Sequence, residues 1–538
     1  MRATAAWAVL LLAALVFAVP AVGLVMGLVA PPLVADPGTD PVQEDGRIAW
    51  GASYRERVGS IEHLHLVGDA ETMGYAHGAL MGERIAALET DLLRTFTELV
   101  PSFLLRHLVL GLVSFNNRSL AQHFTGRELR ELAAMGHAHA RRSDLYGSMS
   151  PGFTRAVQYH ALHDASQYMI DNPLVNAPQV GCTAVVARGA RSRSGRIQVG
   201  RLFDFEGGNS FDLDKVVISY DPQEGQKFVS VVWPGMVGAV TGLNESGIWI
   251  SVNSSVSDSH AVSGRPVVLV VREALQFATT LDQAAQLFEQ ATLFVSANIV
   301  IVSGDEDAAL VVQVGPGGSS RLPLDGDSLA ITNHFRGPAW DQDAATARRL
   351  LEGTSPKRLA RAEQLLAARV HDSASLLEVL RNRLGPDGQD IGFGNRGTIN
   401  AWIGAHLVVA DPRAQILWVC EPSHGLGRAL AFGMEGPLDL QPLPASDELL
   451  WHERVASRFE SILDETRGML ERGEYDQAAV AAEHLLELNP SSFAAYECAA
   501  LATADLTERR LLLERSLELL PAYPADEARV RAHLDALK

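Results

Sequence analysis

The feature that most constrains this chain is a cysteine near the start of an apolar run, followed closely by an arginine and an aspartate. Cys182 stands in the run 180–186, VGCTAVV, and Arg201 and Asp204 stand in the run 200–205, GRLFDF. Both runs have the composition of strands, and the polar segment between them predicts a turn. We therefore expect a hairpin that places the arginine and the aspartate beside the cysteine.

This arrangement has a coherent chemistry if the bond between Gly181 and Cys182 is cut, because Cys182 then carries both a thiol and a free α-amine. A thiol with a pKa of about 8.5 and an α-amine with a pKa of about 7.7–8.0 can exchange a proton at modest cost. Asp204 can hold the amine, and Arg201 can favour the thiolate. The competing interpretation is a small buried hydrophobe, the commoner role of a lone cysteine. Gly181, which eases a tight turn, and the hydroxyl of Thr183 favour the catalytic interpretation.

The oxyanion that develops during acyl transfer needs hydrogen-bond donors. Two asparagines follow apolar runs and are candidates: Asn253 in the segment 249–254, WISVNS, and Asn333 in the segment 331–335, ITNHF. Each asparagine taken alone is more often a turn residue.

The order of these motifs resembles the penicillin acyltransferase-like branch of the N-terminal-nucleophile (Ntn) hydrolases. The chain is also similar, more distantly, to choloylglycine hydrolases, penicillin V acylases and acid ceramidase-type amidases. The matching pieces lie between about residues 60 and 425: 68–84 with Gly74 and His77, Gly181-Cys182-Thr183, Arg201 with Asp204, 242–247 followed by Asn253, 332–335 with Asn333, and 355–358 with Arg358.

The resemblance implies an α+β fold, specifically an αββα sandwich, and maturation by self-cleavage before Cys182. It also implies that Arg358 helps to order the nucleophile, although Arg348 and Arg349 are nearby competitors. The mature enzyme would hydrolyse a linear amide or transfer its acyl group to an amine, without a cofactor.

The bulk composition narrows the function further. The net charge is -19 and Lys and Arg do not cluster, so we expect no nucleic-acid partner. The three cysteines form no C-x-x-C pair, which argues against a thiolate zinc site and a disulfide framework. The pairs His63/His65 and His137/His139 do not suit a shared metal, and we expect no metal.

The N-terminus is apolar and uncharged from Ala3 to Ala35, with Arg2 before it. This run reaches the roughly 20 residues that span a bilayer. We expect a single-pass signal-anchor helix with the catalytic domain outside the cytoplasm; the alternative is a cleaved signal peptide and a secreted or periplasmic protein.

The sequence predicts five segments. Residues 1–35 form the membrane helix, 36–59 a linker, 60–181 the propeptide, 182–444 the catalytic β-subunit, and 445–538 a helical extension that resembles tetratricopeptide repeats. The propeptide would contain a helix at 71–93, broken by Gly74 and Gly78, and would end in an exposed loop at 171–180. The helical extension is either a surface for a protein partner or a plain hairpin packed on the catalytic domain.

Our first functional hypothesis is an amidase or acyltransferase acting on N-acylated small molecules or lipid amides. An alternative enzyme would deacylate esters or phospholipids with the same cysteine. A third hypothesis, from another class, is a non-catalytic exported scaffold that acts through the helical extension.

Overall fold

The computed structural model describes residues 22–23, 25–44, 46–148, 150–162, 164, 180–261 and 263–537. Runs rich in β-branched residues form its strands. In chain order these are β1 (Val42–Glu44), β2 (Arg47–Trp50), β3 (Ser53–Val58), β4 (Ile61–Gly68), β5 (Val180–Ala187), β6 (Gln198–Phe205), β7 (Val216–Pro222), β8 (Phe228–Val232), β9 (Thr241–Asn244), β10 (Ile248–Ser254), β11 (Ala297–Ser303), β12 (Ala308–Gly315), β13 (Gly318–Pro323), β14 (Ser328–Ile331), β15 (Gly404–Asp411), β16 (Ile416–Cys420), β17 (Ala429–Gly433) and β18 (Gly436–Pro437).

The helices begin at well-formed caps; for example, Asp69 accepts the Thr72 N–H and Thr125 forms a capping box with Glu128. They are α1 (Ala70–Leu99), α2 (Phe103–Asn116), α3 (Gly126–Ala140), α4 (Gly152–Tyr159), α5 (Ser210–Leu213), α6 (Val267–Phe277), α7 (Leu281–Gln290), α8 (Ala344–Glu352), α9 (Ser355–Ala368), α10 (Ser373–Leu380), α11 (Leu449–Glu471), α12 (Tyr475–Leu488), α13 (Phe493–Ala502), α14 (Leu506–Glu518) and α15 (Pro524–Asp535).

The strands form two sheets in the described part of the chain. One has the order β1-β2-β3-β4-β7-β8-β9-β10-β11-β12-β13, and the other the order β14-β5-β6-β15-β16-β17-β18. Neighbouring strands are antiparallel, apart from the parallel pair β4 and β7. That parallel pair joins the segment before residue 181 to the segment after it, so the two sides of the predicted cut share one sheet.

Three buried cores give the molecule its layers. Val231 and Val300 of the first sheet pack against Val199 and Val408 of the second between the two sheets. Helices α1, α3, α6 and α7 cover the outer face of the first sheet. Helices α9 and α10 cover the outer face of the second. The order of layers is therefore helix, sheet, sheet, helix, in a mixed α+β protein with a helical C-terminal region.

Two sequence expectations were wrong in detail. Residues 36–59 are not a linker throughout, because β1 to β3 extend the first sheet as successive antiparallel neighbours of β4. Helix α1 is not broken at Gly74 and Gly78; both glycines lie where α1 crosses α3, and a Cβ at either position would overlap a carbonyl oxygen of α3. The small residues permit close packing of two helices rather than a break.

The helical C-terminal region, α11 to α15, is packed against the sandwich. Phe393, Trp402 and Leu426 of the sandwich form a common core with Phe459 of α11 and Leu485 of α12. Successive helices of the region contact each other. The region is thus an integral part of the fold, and its resemblance to tetratricopeptide repeats stays a prediction.

The expected membrane helix lies mostly outside the described residues, as does the loop at 171–179. The described end of the predicted helix was wrong: residues 28–35 are not helical, and Val29 and Val34 pack against the core of the sandwich. Within the described residues, no single helix combines the length and apolarity that crossing a bilayer requires; α1 and the helical stretch 103–123 meet that criterion only as a pair bent by 119°.

Candidate active site

The predicted hairpin is present as β5 and β6. Cys182 lies opposite Phe203, Gly181 opposite Asp204, and Ala184 opposite Arg201. Because side chains alternate along a strand, Cys182 and Arg201 share one face of the sheet while Asp204 lies on the other. The side chain of Cys182 is fully buried.

Arg201 is the cation next to the sulfur of Cys182. Its Nη2 lies 3.6 Å from Cys182 Sγ and also donates to the carbonyl of Val252, while Nη1 donates to the carbonyl of Val240 at 3.1 Å and to Thr241 Oγ1. Burial lowers the pKa of this guanidinium, and the nearby Cys182 and Asp204 oppose that effect. The first sheet therefore fixes a buried positive charge next to the thiol.

Asn333 and Arg358 hold the backbone of Cys182. The Cys182 N–H donates to Asn333 Oδ1 at 2.8 Å, and Arg358 Nη2 donates to the same oxygen at 2.7 Å. Arg358 Nη1 donates to the Cys182 carbonyl at 2.7 Å. Ser355 accepts the Asn333 N–H at 2.7 Å. Of the three competing arginines, Arg358 is therefore the one that contacts the candidate nucleophile.

Asp204 is a buried carboxyl beside the predicted cleavage site. A Cβ built on Gly181 would lie 3.1 Å from Asp204 Oδ2. Asp204 Oδ1 has no hydrogen-bond partner in the described part of the chain. Burial raises the pKa of Asp204 to about 7, against the opposing charges of Arg358, Arg396 and Arg201.

Asn253 is buried on β10, the strand that also supplies the Val252 carbonyl to Arg201. Its Nδ2 donates to the carbonyl of Ile331 at 3.2 Å, and the Nδ2 of Asn333 donates to the carbonyl of Ser254 at 2.9 Å. In the intact chain the side-chain amides of both asparagines thus donate to backbone carbonyls. Their roles as oxyanion donors stay predictions.

Residues of β6 line three cavities in the described part of the chain. An apolar cavity is lined by Phe203 and Phe205, with Leu88, Met135 and Trp233 among its other walls. Asp204 lines a small polar cavity, and Phe205 also lines a larger polar cavity. The fully buried Cys182 lines none of these three, and its strand partner Phe203 borders the apolar one.

The structure adds polar residues that the sequence did not single out. His406 Nε2 lies 3.0 Å from Thr241 Oγ1 and 3.4 Å from Arg201 Nη1; burial and the Arg201 charge hold its pKa well below the usual value. Arg349, Arg396 and Tyr523 line the small polar cavity. A histidine in the apolar run of β15 was a detectable signal, but nothing in the sequence linked Tyr523 to residue 181.

Among the described residues, two clusters have donor atoms close enough for a metal ion: Glu89, His139 and Asp144, and His65, Asp221 and Glu435. Arg155 already donates to Glu89 at 2.8 Å and to Asp144 at 2.6 Å. Lys227 pairs with Asp221 and Glu435 at 2.9 and 2.5 Å. Both clusters are therefore explained as ion pairs with cations of the chain itself.

The helix–sheet–sheet–helix order, the cysteine near the start of β5 and the Arg-x-x-Asp motif on β6 make the chain similar to Ntn hydrolases. Residues 193–423 match the model of the family described as acyl-coenzyme A:6-aminopenicillanic acid acyl-transferase, which agrees with the resemblance carried by the motifs. The matched span contains Arg201, Asp204, Asn253, Asn333 and Arg358, and Cys182 lies just before it.

Similar proteins are distant. An uncharacterized protein of Archaeoglobus fulgidus is 25% identical over 238 residues, which cover 42% of this chain and 38% of the relative. Protein dcd1B of Dictyostelium discoideum is 22% identical over 254 residues, covering 47% and 50%. The chain thus spans half or less of each of these relatives.

Among solved structures, the Caenorhabditis elegans orthologue of N-acylethanolamine-hydrolyzing acid amidase aligns over 43% of this chain and 93% of its own, with 18% identity and a TM-score of 0.33. Penicillin V acylase from Agrobacterium tumefaciens covers 47% and 86%, with 16% identity and a TM-score of 0.29. These scores are too low to bear on the details of the fold.

Proposed function

We propose that this protein is an Ntn amidohydrolase or acyltransferase that acts on linear amides of N-acylated small molecules or lipids, with Cys182 as nucleophile. The observation that carries the proposal is the set of contacts at one residue: Arg201 at the Cys182 sulfur, Asn333 at its nitrogen and Arg358 at its carbonyl oxygen. The family match supports the class of reaction.

The first step would be cleavage of the chain itself. Cys182 Sγ attacks the Gly181 carbonyl carbon, the bond from that carbon to the Cys182 nitrogen breaks, and the nitrogen takes the proton that the thiol released. Water then hydrolyses the thioester to a Gly181 carboxylate and a free Cys182 thiol. Self-cleavage is supported by the position of the bond: it lies within β5 beside a buried Cys182, where a separate protease has poor access.

The new α-amine would then act as the base for the thiol. Asp204 has a buried oxygen that lacks a hydrogen-bond partner among the described residues, and it borders Gly181. An ammonium at Cys182 would supply a partner for this carboxylate and favour its ionised form. Arg201 would favour the thiolate that attacks the substrate amide, and the ammonium would return a proton to the leaving amine.

The cavities support a division of the substrate. The acyl chain would occupy the apolar cavity, whose walls include Leu88, Met135 and Trp233. The amine would occupy the polar side, bordered by Asp204 and Arg396. This division favours long-chain N-acyl amines over short-chain amides.

Hydrolysis by purified protein tests the proposal. We expect N-dodecanoyl amides to be hydrolysed faster than lysophospholipids, and Cys182→Ala to abolish amide hydrolysis. Cys420→Ala is the matched control, because Cys420 is also buried with an arginine, Arg381, whose Nη2 lies 3.8 Å from its sulfur. Equal activity in Cys182→Ala and the wild type would overturn the proposal.

We also propose that the apolar run 3–27 anchors the protein in the cell membrane with the sandwich outside the cytoplasm. The support is the length of the uncharged run and the single Arg2 before it. Protease added to intact cells should digest the sandwich, and alkaline carbonate should leave the protein in the membrane. Release by carbonate would point to a cleaved signal instead.

A further inference from the structure

We infer that the C-terminal helices are part of the active site: the turn between α14 and α15 closes the polar side, and Tyr523 on that turn selects the leaving amine. This inference rests on the proposed function. It gives the helical region a role in the reaction itself.

Tyr523 borders the same space as the predicted cleavage site. It lines the small polar cavity together with Gly181, Asp204, Asn333 and Arg358. A residue far along the chain therefore shares one cavity with four residues of the predicted site. A group bound in that cavity beside Gly181 would lie near the phenol ring.

The turn that carries Tyr523 is held in place by the sandwich. Lys357 Nζ donates to the carbonyls of Pro521 and Ala522, each at 2.9 Å, and Asn395 Nδ2 donates to the carbonyl of Leu520 at 3.2 Å. Lys357 immediately precedes Arg358, which contacts the Cys182 carbonyl. One turn of α9 therefore connects the C-terminal region to the nucleophile.

The charges around Tyr523 indicate what the cavity binds. The pKa of the Tyr523 phenol is lowered by three positive charges, those of Arg396, Arg358 and Arg349, but burial raises it by more. The hydroxyl therefore stays protonated at neutral pH. A protonated hydroxyl can donate a hydrogen bond to an oxygen and accept one from an N–H or O–H group.

A second residue of the C-terminal region faces the adjoining space. Glu460 of α11 lines the larger polar cavity, which shares Arg396 and Ile403 with the small one. The walls of both cavities thus combine side chains of the sandwich with side chains of the helices. The geometry fits a small polar amine that carries hydrogen-bonding groups.

The test compares two N-dodecanoyl amides that share the acyl chain, one of ethanolamine and one of the bulky, largely apolar 7-amino-4-methylcoumarin. Tyr523→Ala, which widens the cavity, should raise kcat/KM for the coumarin amide relative to the ethanolamide by about tenfold. Tyr523→Phe, which keeps the ring, should lower kcat/KM for the ethanolamide alone. Tyr475→Ala is the control, because Tyr475 is a 55% exposed tyrosine of the same helical region.

An unchanged ratio of the two rates in Tyr523→Ala, with hydrolysis still dependent on Cys182, would overturn this inference and leave the proposed function intact. Loss of Cys182 dependence would overturn the proposed function instead. Hydrogen exchange provides a readout that needs no activity. In the uncut Cys182→Ala chain, Lys357→Met should speed exchange of the amide at position 182 through movement of Arg358, and Tyr475→Ala should not. Unchanged exchange in Lys357→Met would also contradict the inference.

Discussion

Cys182 differs from the other cysteines of this chain in the number of polar side chains that contact it. Its sulfur, nitrogen and carbonyl oxygen contact Arg201, Asn333 and Arg358. Cys420 meets an arginine only at its sulfur, and burial raises its pKa. Burial among apolar side chains raises the pKa of Cys498 to about 11. The surroundings of the backbone, more than burial or a nearby arginine, distinguish the candidate nucleophile.

Arg358→Lys tests the double contact of this guanidinium. A lysine keeps the charge but cannot donate to the Cys182 carbonyl and Asn333 in the same fixed geometry. We expect kcat/KM for an N-acyl amide to fall by roughly 100-fold, because small displacements of a nucleophile are costly. Arg348→Lys, at an exposed arginine of α8, should leave kcat/KM unchanged. Equal effects of the two substitutions would contradict the assignment of Arg358.

Asp204 gives a prediction about stability in the uncut chain, measured in a Cys182→Ala background. Burial raises its pKa from 3.8 to about 7. The folded chain therefore keeps a proton that the unfolded chain releases, so the stability contributed by this group is full below about pH 4 and is lost as pH rises through 7.

Asp204→Asn removes that loss, because the amide does not ionise. At pH 8 we expect it to raise the free energy of unfolding by on the order of 2 kcal/mol, with little effect at pH 4. Denaturant unfolding at the two pH values measures the difference, and Asp439→Asn, at an exposed position, is the control. A destabilising effect at pH 8 would show that Asp204 is ionised and paired in the uncut chain.

At the scale of elements, the helix pair α1 and α3 shows why periodicity alone misjudged two glycines. A Cβ on Gly74 would overlap the carbonyl oxygen of Glu131, and one on Gly78 that of Met135. The sequence shows only that glycine is a poor helix former. It does not show the second helix against which each glycine packs, so the break predicted in α1 was wrong.

Substitution of these glycines tests the packing. Gly78→Ala should destabilise the protein by about 1–3 kcal/mol, because the added methyl group forces α1 and α3 apart. Gly126→Ala is the matched control: this glycine begins α3, and a Cβ there would make only an ordinary contact with Arg130. Thermal unfolding of both variants gives the comparison, and stabilisation by Gly78→Ala would contradict the close crossing.

The hairpin of β5 and β6 was predictable because local composition and alternation determine it. The positions of Arg201 and Asp204 on opposite faces follow from their separation by three positions, an odd number, and from the register with Cys182. Asn333 was a candidate because it follows an apolar run, and Arg358 was named through the resemblance to known motifs. Neither contact with Cys182 was predictable, since both depend on how β14 and α9 pack on β5. The strands β1 to β3 were missed because a polar, Gly-containing segment resembles a linker until its partner strand is known.

At the scale of the whole molecule, the least predictable feature is the path of the C-terminal region back to the nucleophile. Tyr523 lines the same cavity as Gly181 although the two residues are far apart in sequence. No local pattern encodes this proximity, because it depends on the docking of five helices on the sandwich. The cavities are unpredictable for the same reason.

Buried histidines make the whole fold sensitive to acid. Burial lowers the pKa of His77 to about 3, and those of His63, His160 and His334 to about 4. His77 and His160 accept the N–H groups of Gly235 and Val237, which a protonated ring could not do. The stability that depends on the neutral rings is therefore full above the unfolded pKa of about 6.5 and lost as pH falls towards 4.

We expect the free energy of unfolding to fall between pH 7 and pH 5 by on the order of 1 kcal/mol per pH unit for each such histidine. Denaturant unfolding at pH 7, 6 and 5 measures the slope. The slope should be smaller in His160→Gln, because the Gln amide can accept the Val237 N–H without titrating. A stability that is constant over this range would contradict the neutral state of these rings.

The central claim is that one residue supplies both the thiol and the amine, and the mass of the purified protein tests it most directly. We predict two fragments, one ending at Gly181 and one beginning at Cys182, and a single intact chain from Cys182→Ala. An uncut wild-type chain that hydrolyses amides, or a cut at another bond, would contradict the claim.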